Sequence, residues 1–293
     1  KADDLANSRY GMHISLSDTD EQPKVELIRK VQAILEKDLD VVFENYKVHL
    51  GGFLTKLQDD TSYTYPHQDW TFVDNNDAEA FSSTIWISLN DLTINSGSLG
   101  FIKGSHKIFD EVIGSPSPAT YTSAQMNSSL FLDYLHVPDV KKGDALIFNN
   151  KTIHGAFPNR ENKPRVAIAI GITPKNCELY HYTLKPKDSK KFKKLKVDES
   201  FFIKHMNEEL YEKYLQEYDF KKFDQNEDVE VQLTKIEKAD LERKLIACGN
   251  ELNYFEEPNV EEKLDDNQTG SRSFFQTYTP LNIFREVKYR MGF

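Results

Sequence analysis

The stretch RVAIAIGIT, residues 165–173, alternates between two kinds of side chain along its whole length. On a strand, successive side chains point to opposite faces. One face then carries small residues beside an arginine and the other only β-branched residues: Arg165, Ala167, Ala169 and Gly171 against Val166, Ile168, Ile170 and Ile172. This parity predicts a strand whose bulky face packs outward on helices and whose small face leaves room inward for a ligand.

A period of two also runs through the chain ahead of this stretch, from about Tyr46 onward. Turn-forming sequences separate the predicted strands, which are Val48–Gln58, Ser83–Leu89, Ser98–Ile102, Asp144–Phe148 and Arg165–Thr173. Many short strands without intervening helices indicate an antiparallel sandwich or barrel and not a Rossmann sheet. The second strand has an aromatic and two hydroxyl groups on a face that we expect to line a pocket: Thr84, Trp86 and Ser88.

Helical patterning flanks these strands on both sides. Before them, Asp20, Glu21 and Pro23 suit the start of a helix. Its predicted apolar face, which we expect to lie against a sheet, consists of Leu27, Val31, Ile34 and Leu35. Beyond the strands, helices are predicted at Phe201–Tyr218 and Ala239–Ala247.

We therefore expect a single domain over residues 1–293, mainly β with flanking helices. Its parts are an N-terminal helical support (1–45), a β core (46–175) and a partly helical C-terminal extension (176–293). A lid, a substrate-selecting cap and a partner surface are all compatible with the extension. The oligomeric state is open between monomer and homodimer.

Composition and charge exclude several classes of function. The formal net charge of −10 argues against a nucleic-acid partner, which requires a basic surface. No apolar run reaches the length of a membrane span, and no secretory leader opens the chain, so we expect a cytoplasmic protein. Because the first residue is Lys1 and not Met, a targeting segment upstream stays open. Two cysteines, Cys177 and Cys248, are too few for a disulfide framework.

The positive charge is concentrated in one segment. Seven lysines lie between Lys185 and Lys196, with Asp188 as the one acid among them. The run predicts a solvated connector. The alternative is a segment that meets a phosphate-bearing or carboxylate-bearing substrate.

Two histidines and one carboxylate indicate a metal site. His67 and Asp69 stand two positions apart, so on an extended chain both side chains project to one face. His154 follows the apolar run Ala145–Phe148, near the end of a distant β element. This donor set is typical of an open-faced Fe(II) centre.

Arg165 begins the strand that follows the loop after His154. We expect its side chain to lie within about two residue steps of the metal. A guanidinium grips a carboxylate with two parallel hydrogen bonds, so a dicarboxylate cosubstrate suits this position.

Several spaced motifs, in order, resemble the phytanoyl-CoA dioxygenase family of Fe(II)- and 2-oxoglutarate-dependent oxygenases. They are Lys56, YPHQDW, STIWISLND, NSGSLGFIKGSHK, KKGDALIFNNKTIHGA and Arg165, and they span roughly residues 46–173. The resemblance implies a double-stranded β-helix core. It also implies Fe(II), 2-oxoglutarate and O₂ as the cofactor and cosubstrates.

The resemblance further implies roles for individual residues. His67, Asp69 and His154 would ligate iron, and Arg165 would bind the distal carboxylate of 2-oxoglutarate. Lys56 would bind its other end or the substrate, and Trp86 would lie beside the cosubstrate. A carboxylate at position 69 favours oxygenation over halogenation, because related halogenases have a small residue there.

One residue of the predicted pocket departs from the family pattern, and one further residue is a candidate substrate contact. Family members often have Ser two residues after the second histidine, where this chain has Ala156, so we expect Thr84 to supply the missing hydroxyl contact to the cosubstrate. Gln58, on the same strand face as Lys56, is a candidate substrate contact.

The leading hypothesis is an oxygenase that hydroxylates, desaturates or cyclises a small organic substrate, an amino-acid-derived or specialised metabolite, with release of succinate and CO₂. Within the same class, the alternative substrate is an acyl-CoA whose phosphates meet the lysines of residues 185–196. Two other classes stay open: a β-barrel binding module that holds a metal without catalysis, and a metal-dependent hydrolase.

Overall fold

A computed structural model describes residues 12–18, 20–114, 122–185, 188–205, 226–253 and 255. The strands are β1 (His13–Ile14), β2 (Tyr46–Lys56), β3 (Thr64–His67), β4 (Ser83–Ser88), β5 (Gly100–Phe101), β6 (Ala145–Asn149), β7 (His154–Ala156), β8 (Arg165–Pro174), β9 (Leu179–Lys185), β10 (Asp188–Val197) and β11 (Asn226–Glu230). The helices are α1 (Glu21–Val42), α2 (Ser123–Met126), α3 (Ser128–Asp133), α4 (Glu199–His205) and α5 (Lys238–Ala247), with 3₁₀ turns at Ser15–Ser17 and Ser105–Lys107.

Two antiparallel sheets form the core. The larger has the order β1-β2-β8-β4-β6 and the smaller the order β3-β7-β5. Their inner faces meet where Phe101 of the small sheet packs on Phe148 of the large one, with ring centroids 5.0 Å apart. The predicted double-stranded β-helix architecture, mainly β with flanking helices, is confirmed.

The outer face of the large sheet packs on helix α1. Asp20 caps this helix by accepting a hydrogen bond from the Gln22 backbone N–H (3.2 Å). The helix and the sheet share one apolar cluster, whose buried members are Val31, Leu39, Ile85, Ile170 and Ile172. The outward parity predicted for β8 and β4 is therefore confirmed.

The apolar face predicted for the helix is wrong at one residue. Ile34 is 73% exposed, whereas Ile28 and Leu39 are buried. Val31, Leu35 and Leu39 form the stripe that packs on the sheet. Ile34 precedes Leu35 by one residue and therefore lies about 100° away around the helix.

The C-terminal extension contains a third sheet with the order β11-β10-β9. The prediction of a solvated connector at residues 185–196 is wrong, because β10 is a central strand whose Phe192 and Leu195 are buried. Four lysines of the run pair with carboxylates: Lys191 with Glu230, Lys193 with Asp228, Lys194 with Asp74, and Lys196 with Glu178. The lysine run of residues 185–196 therefore belongs to a strand, β10, whose neighbour β11 supplies carboxylates to Lys191 and Lys193.

The two helices predicted in the extension have different outcomes. The helix predicted at Ala239–Ala247 is confirmed as α5, and Gly249 follows it with φ 76°. Of the helix predicted at Phe201–Tyr218, the structure describes α4, and residues 206–218 lie outside the described part. Within the described ranges, no helix combines the length and the apolar content that a membrane crossing requires.

Candidate metal centre and adjoining cavity

The two histidines lie directly opposite each other across the small sheet. His67 ends β3, His154 begins β7, and the two are register partners with ring centroids 4.4 Å apart. Gly155 permits this close pairing, because a Cβ at this position would lie 2.7 Å from the Thr64 carbonyl oxygen. The pairing brings together two residues that are far apart in the sequence.

Asp69 joins the histidines from just beyond β3. We expected His67 and Asp69 on one extended strand, but the strand ends at His67. A backbone hydrogen bond from the Asp69 N–H to the Asn150 oxygen (3.0 Å) holds the residue instead. One donor atom from each of His67, Asp69 and His154 lies within 4.8 Å of the others, so the three side chains can share one ion.

Backbone carbonyls fix the orientation of both rings. Nδ1 of His67 lies 2.7 Å from the Tyr65 oxygen, and Nδ1 of His154 lies 2.9 Å from the Thr152 oxygen. Because a carbonyl oxygen only accepts, each Nδ1 carries the proton, and Nε2 keeps its lone pair for a metal. Nε2 of His154 lies 3.6 Å from Oδ1 of Asp69.

His67 is poised in the form that binds metal. Burial, and then the neighbouring His154, lower the pKa of His67 to about 4, against an opposing effect of Asp69. The ring is therefore neutral near pH 7, as coordination requires. Two imidazole side chains and one carboxylate, with the remaining positions open, fit Fe(II).

Thr84 contacts the carboxylate of this set. Its Oγ1 donates a hydrogen bond to Oδ2 of Asp69 (2.8 Å). The single hydroxyl proton is thus engaged, and carboxylate or keto oxygens of a cosubstrate need a donor. The predicted contact of Thr84 with 2-oxoglutarate stays a prediction, and the hydrogen bond that the structure shows orients Asp69.

Arg165 is buried on the inner face of the large sheet and has no carboxylate partner among the residues that the structure describes. Its side chain is 1% exposed, and its guanidinium carbon lies 5.7 Å from the ring centroid of Trp86. Nη2 contacts the Met12 sulfur at 3.3 Å, while Nε and Nη1 have no hydrogen-bond partner among the described residues. Burial lowers the pKa of Arg165 to about 10, so the group stays charged at pH 7.

A buried, charged and unsatisfied guanidinium destabilises a folded protein unless an anion completes it. The donors left over at Arg165 fit the carboxylate of a bound dicarboxylate. Trp86, 1% exposed, adds an indole N–H that also has no partner within the described part of the chain. The places of Arg165 and Trp86 beside the cosubstrate stay predictions.

Lys56 is the register partner of Arg165 and is fully buried. Its ammonium donates to the backbone oxygens of Ser62 (2.5 Å) and Phe157 (3.2 Å). Burial, and then the charge of Arg165, lowers the pKa of Lys56 well below its usual value. These contacts hold two loops together, and the predicted binding of cosubstrate or substrate by Lys56 stays a prediction.

Gln58 is exposed and donates from Nε2 to the Arg160 oxygen (3.3 Å). It does not line the cavity beside the metal ligands. The strand ends at Lys56, before Gln58, and a substrate contact at Gln58 stays a prediction.

A cavity of about 320 Å³ opens beside Asp69. Sequence reasoning missed its lining, which includes Trp70, Phe81, Ser82, Asn149, Asn150 and Lys151. Two features of the sequence could have indicated this lining. Trp70 directly follows Asp69, and Ser82 lies two positions before Thr84. A larger groove of about 870 Å³ between α1 and the start of β2 contains none of the predicted site residues.

Comparisons with known proteins support one family. A family model described as phytanoyl-CoA dioxygenase (PhyH) matches residues 4–167, more than half of the chain. A protein of Oryza sativa subsp. japonica, "Phytanoyl-CoA dioxygenase 1", is 32% identical over 125 residues, which are 39% of this chain and 40% of that protein. The match thus spans less than half the length of the rice relative.

Two solved structures are similar at lower identity. The non-heme α-ketoglutarate-dependent epimerase SnoN from nogalamycin biosynthesis is 18% identical, with a TM-score of 0.41, over 58% of this chain and 63% of its own. HygX from Streptomyces hygroscopicus, solved with nickel, 2-oxoglutarate and hygromycin B bound, is 21% identical, with a TM-score of 0.35, over 51% of this chain and 65% of its own.

Proposed function

The chain belongs to the phytanoyl-CoA dioxygenase family, and from that membership we propose that it is an Fe(II)- and 2-oxoglutarate-dependent oxygenase of a small organic substrate. The proposal rests on the convergence of His67, Asp69 and His154, together with a buried guanidinium, that of Arg165, which has no anionic partner in the described part of the chain. When bound, Fe(II) would activate O₂, the oxidant, whose four electrons come in equal shares from 2-oxoglutarate, released as succinate and CO₂, and from the C–H bond of the substrate.

The protein's own contribution begins with ligand orientation. Nε2 of His67, Nε2 of His154 and one oxygen of Asp69 would hold the metal. The Tyr65 and Thr152 carbonyls keep both rings in the tautomer that binds metal, and Thr84 steadies the carboxylate. Three ligands on one side leave the other positions for cosubstrate and O₂.

Arg165 would hold the distal carboxylate of 2-oxoglutarate. Its burial beside Trp86 excludes water, so a hydrogen-bonded ion pair there is stronger than on the surface. The same burial fixes the guanidinium before the cosubstrate arrives. Cosubstrate binding therefore satisfies donors that the folded chain leaves open.

The cavity supports a small substrate over an acyl-CoA. A volume of about 320 Å³ lies at the lower end for small-molecule sites. The alternative required lysines of residues 185–196 to meet CoA phosphates, and four of these lysines already pair with carboxylates. We propose hydroxylation, desaturation or oxidative cyclisation of a compact metabolite.

The test is succinate release. The full chain is incubated with Fe(II), ascorbate and 2-oxoglutarate, with and without O₂, and succinate is measured. We expect slow O₂-dependent turnover even without substrate, its loss in His154→Ala, and its retention in the exposed control His136→Ala. A complete lack of succinate favours a non-catalytic module, and O₂-independent hydrolysis with Zn(II) favours a hydrolase; either result contradicts the proposal.

The organisation of residues 1–293 as one oxygenase domain stays a prediction, as does the cytoplasmic location. The described contacts support the first: the Lys103 backbone N–H donates to the Asn250 side chain (2.7 Å), and Leu241 and Leu245 lie in the same apolar cluster as Phe131. The extension thus packs on the core.

A further inference from the structure

The cavity beside Asp69 has an aromatic wall. Trp70, Phe72 and Phe81 line it. The ring of Trp70 lies 6.5 Å from that of Phe72 and 6.0 Å from that of His181, so neighbouring rings hold it in place. Phe81 is 49% exposed, so its ring is accessible to a ligand. An apolar face of this kind suits a flat or cyclic ligand.

The rest of the lining is rich in uncharged hydrogen-bonding groups: Thr71, Asn75, Ser82, Asn149 and Asn150. Ser82 is 5% exposed, and its Oγ has no hydrogen-bond partner among the described residues. Asn149 accepts a hydrogen bond from the Lys151 N–H (2.8 Å) through Oδ1, which leaves its Nδ2 donors for other partners. A buried hydroxyl without a partner is costly, so a ligand group that bonds to Ser82 would be stabilising.

The charged groups of the lining largely cancel or are neutral. Lys151 pairs with Asp110, and both residues line the cavity. Burial, and then the charge of Lys107, lowers the pKa of His106, so this ring is neutral at pH 7. Lys107 is exposed. The cavity is therefore not built for a polyanion such as CoA.

Resting on the proposed function, we infer that this cavity is the substrate site and binds an uncharged, hydroxyl-bearing cyclic molecule. One face of the ring packs on Trp70 and Phe81, and a hydroxyl group bonds to Ser82. Asp69 itself lines the cavity, and Thr84, two positions after Ser82, donates the hydrogen bond that orients Asp69. A molecule seated there lies beside Asp69.

The chain's two tryptophans provide separate reporters. Trp70 lines the cavity and Trp86 lies beside Arg165. In Trp86→Phe, the remaining emission reports the substrate cavity; in Trp70→Phe, it reports the cosubstrate pocket. Both variants are studied without O₂, with Fe(II) and 2-oxoglutarate, so that binding is measured without turnover.

Probes for the Trp70 reporter are methyl hexopyranosides and neutral nucleosides, with hexanoate and CoA as anionic contrasts. We expect a saturable change with at least one neutral probe and about fivefold weaker binding in Ser82→Ala, the loss of one neutral hydrogen bond. Ser83→Ala, whose side chain points to the opposite face, is the matched control and should bind like the parent.

Three outcomes overturn the inference: only the anionic probes bind, no neutral probe binds, or Ser82→Ala binds as tightly as the parent. The Trp86 reporter separates this failure from that of the proposed function. If Trp86 responds to 2-oxoglutarate while Trp70 is silent to every neutral probe, the oxygenase proposal stands and the substrate class is wrong. If Trp86 is also silent, the oxygenase proposal itself fails.

Discussion

Two buried cations in different sheets have opposite surroundings. Lys194, in the C-terminal sheet, has Asp74 at 2.7 Å, Glu227 at 3.9 Å and the Tyr180 ring at 4.3 Å. Arg165, in the large sheet of the core, has no carboxylate partner in the described part of the chain and two unsatisfied nitrogens. A cation that stabilises the fold is paired with a carboxylate of the same chain, as Lys194 is. The surroundings of Arg165 are instead those of a residue that pairs with the anionic group of a ligand.

The largest effect is expected at Arg165. Arg165→Met removes both prongs of the proposed carboxylate contact, so 2-oxoglutarate affinity should fall at least about 100-fold. Stability should change little, because a buried unpaired charge is replaced by an apolar group. Fluorescence titration of Trp86 and urea unfolding measure the two quantities. Unchanged 2-oxoglutarate affinity, or severe destabilisation, would show that Arg165 has a structural role, as Lys194 does.

Lys194 is expected to behave in the opposite way. Lys194→Met leaves Asp74 partly buried without its partner, which should lower the free energy of unfolding by roughly 2 kcal/mol. Affinity for 2-oxoglutarate should be unaffected. Urea unfolding of this variant and of Lys194→Met/Asp74→Asn checks the cause: the double variant should recover part of the loss, and no recovery would exclude the ion pair.

His49 extends the comparison to a buried group that can discard its charge. It is 1% exposed against Phe72, and neither ring nitrogen has a partner among the described residues. Burial, and then the charge of Lys47, lowers its pKa to about 3. Between pH 6.5 and 3 the unfolded chain therefore binds a proton that the folded chain does not, and stability falls as the pH falls.

At pH 5 this difference amounts to about 2 kcal/mol relative to pH 7. His49→Leu should flatten the pH dependence of unfolding by that amount, measured by urea unfolding at a series of pH values. A variant with the same pH dependence as the parent would show that His49 finds a proton acceptor in the folded protein.

The smallest effect concerns the support of Asp69. Thr84→Val keeps the shape of the side chain but removes the 2.8 Å hydrogen bond, which should weaken Fe(II) binding about 10-fold. Thr84→Ser, which keeps the hydroxyl, should restore most of the affinity. Anaerobic calorimetry measures both affinities. Equal Fe(II) affinities for the Val and Ser variants would show that the Thr84 hydroxyl does not support metal binding by Asp69.

The sequence predicted those features that repeat or are spaced within one strand. The alternation in residues 165–173 predicted both faces of β8, and the positions of His67, Asp69 and His154 indicated a shared ion. The short strands β3 and β7 were not predicted. β3 contains Pro66 and β7 contains Gly155, and neither strand is long enough to display a period.

Features that depend on distant partners were beyond the sequence. Lys194 and Asp74 are 120 positions apart, so the run of lysines predicted solvent and not a paired strand. In the same way, the sequence alone does not distinguish the two cations. The ammonium of Lys56 donates to backbone oxygens, whereas Nε and Nη1 of Arg165 have no hydrogen-bond partner among the described residues. The distinction depends on which loops close over each cation.

Anaerobic calorimetric titration with Fe(II), followed by 2-oxoglutarate, shows whether His67, Asp69 and His154 bind the metal and whether Arg165 binds the cosubstrate. One ion per chain should bind to the parent protein, and 2-oxoglutarate should bind tightly only after it. His154→Ala should lose the metal step, and Arg165→Met should keep the metal step and lose the second. Undiminished Fe(II) binding by His154→Ala would contradict the account.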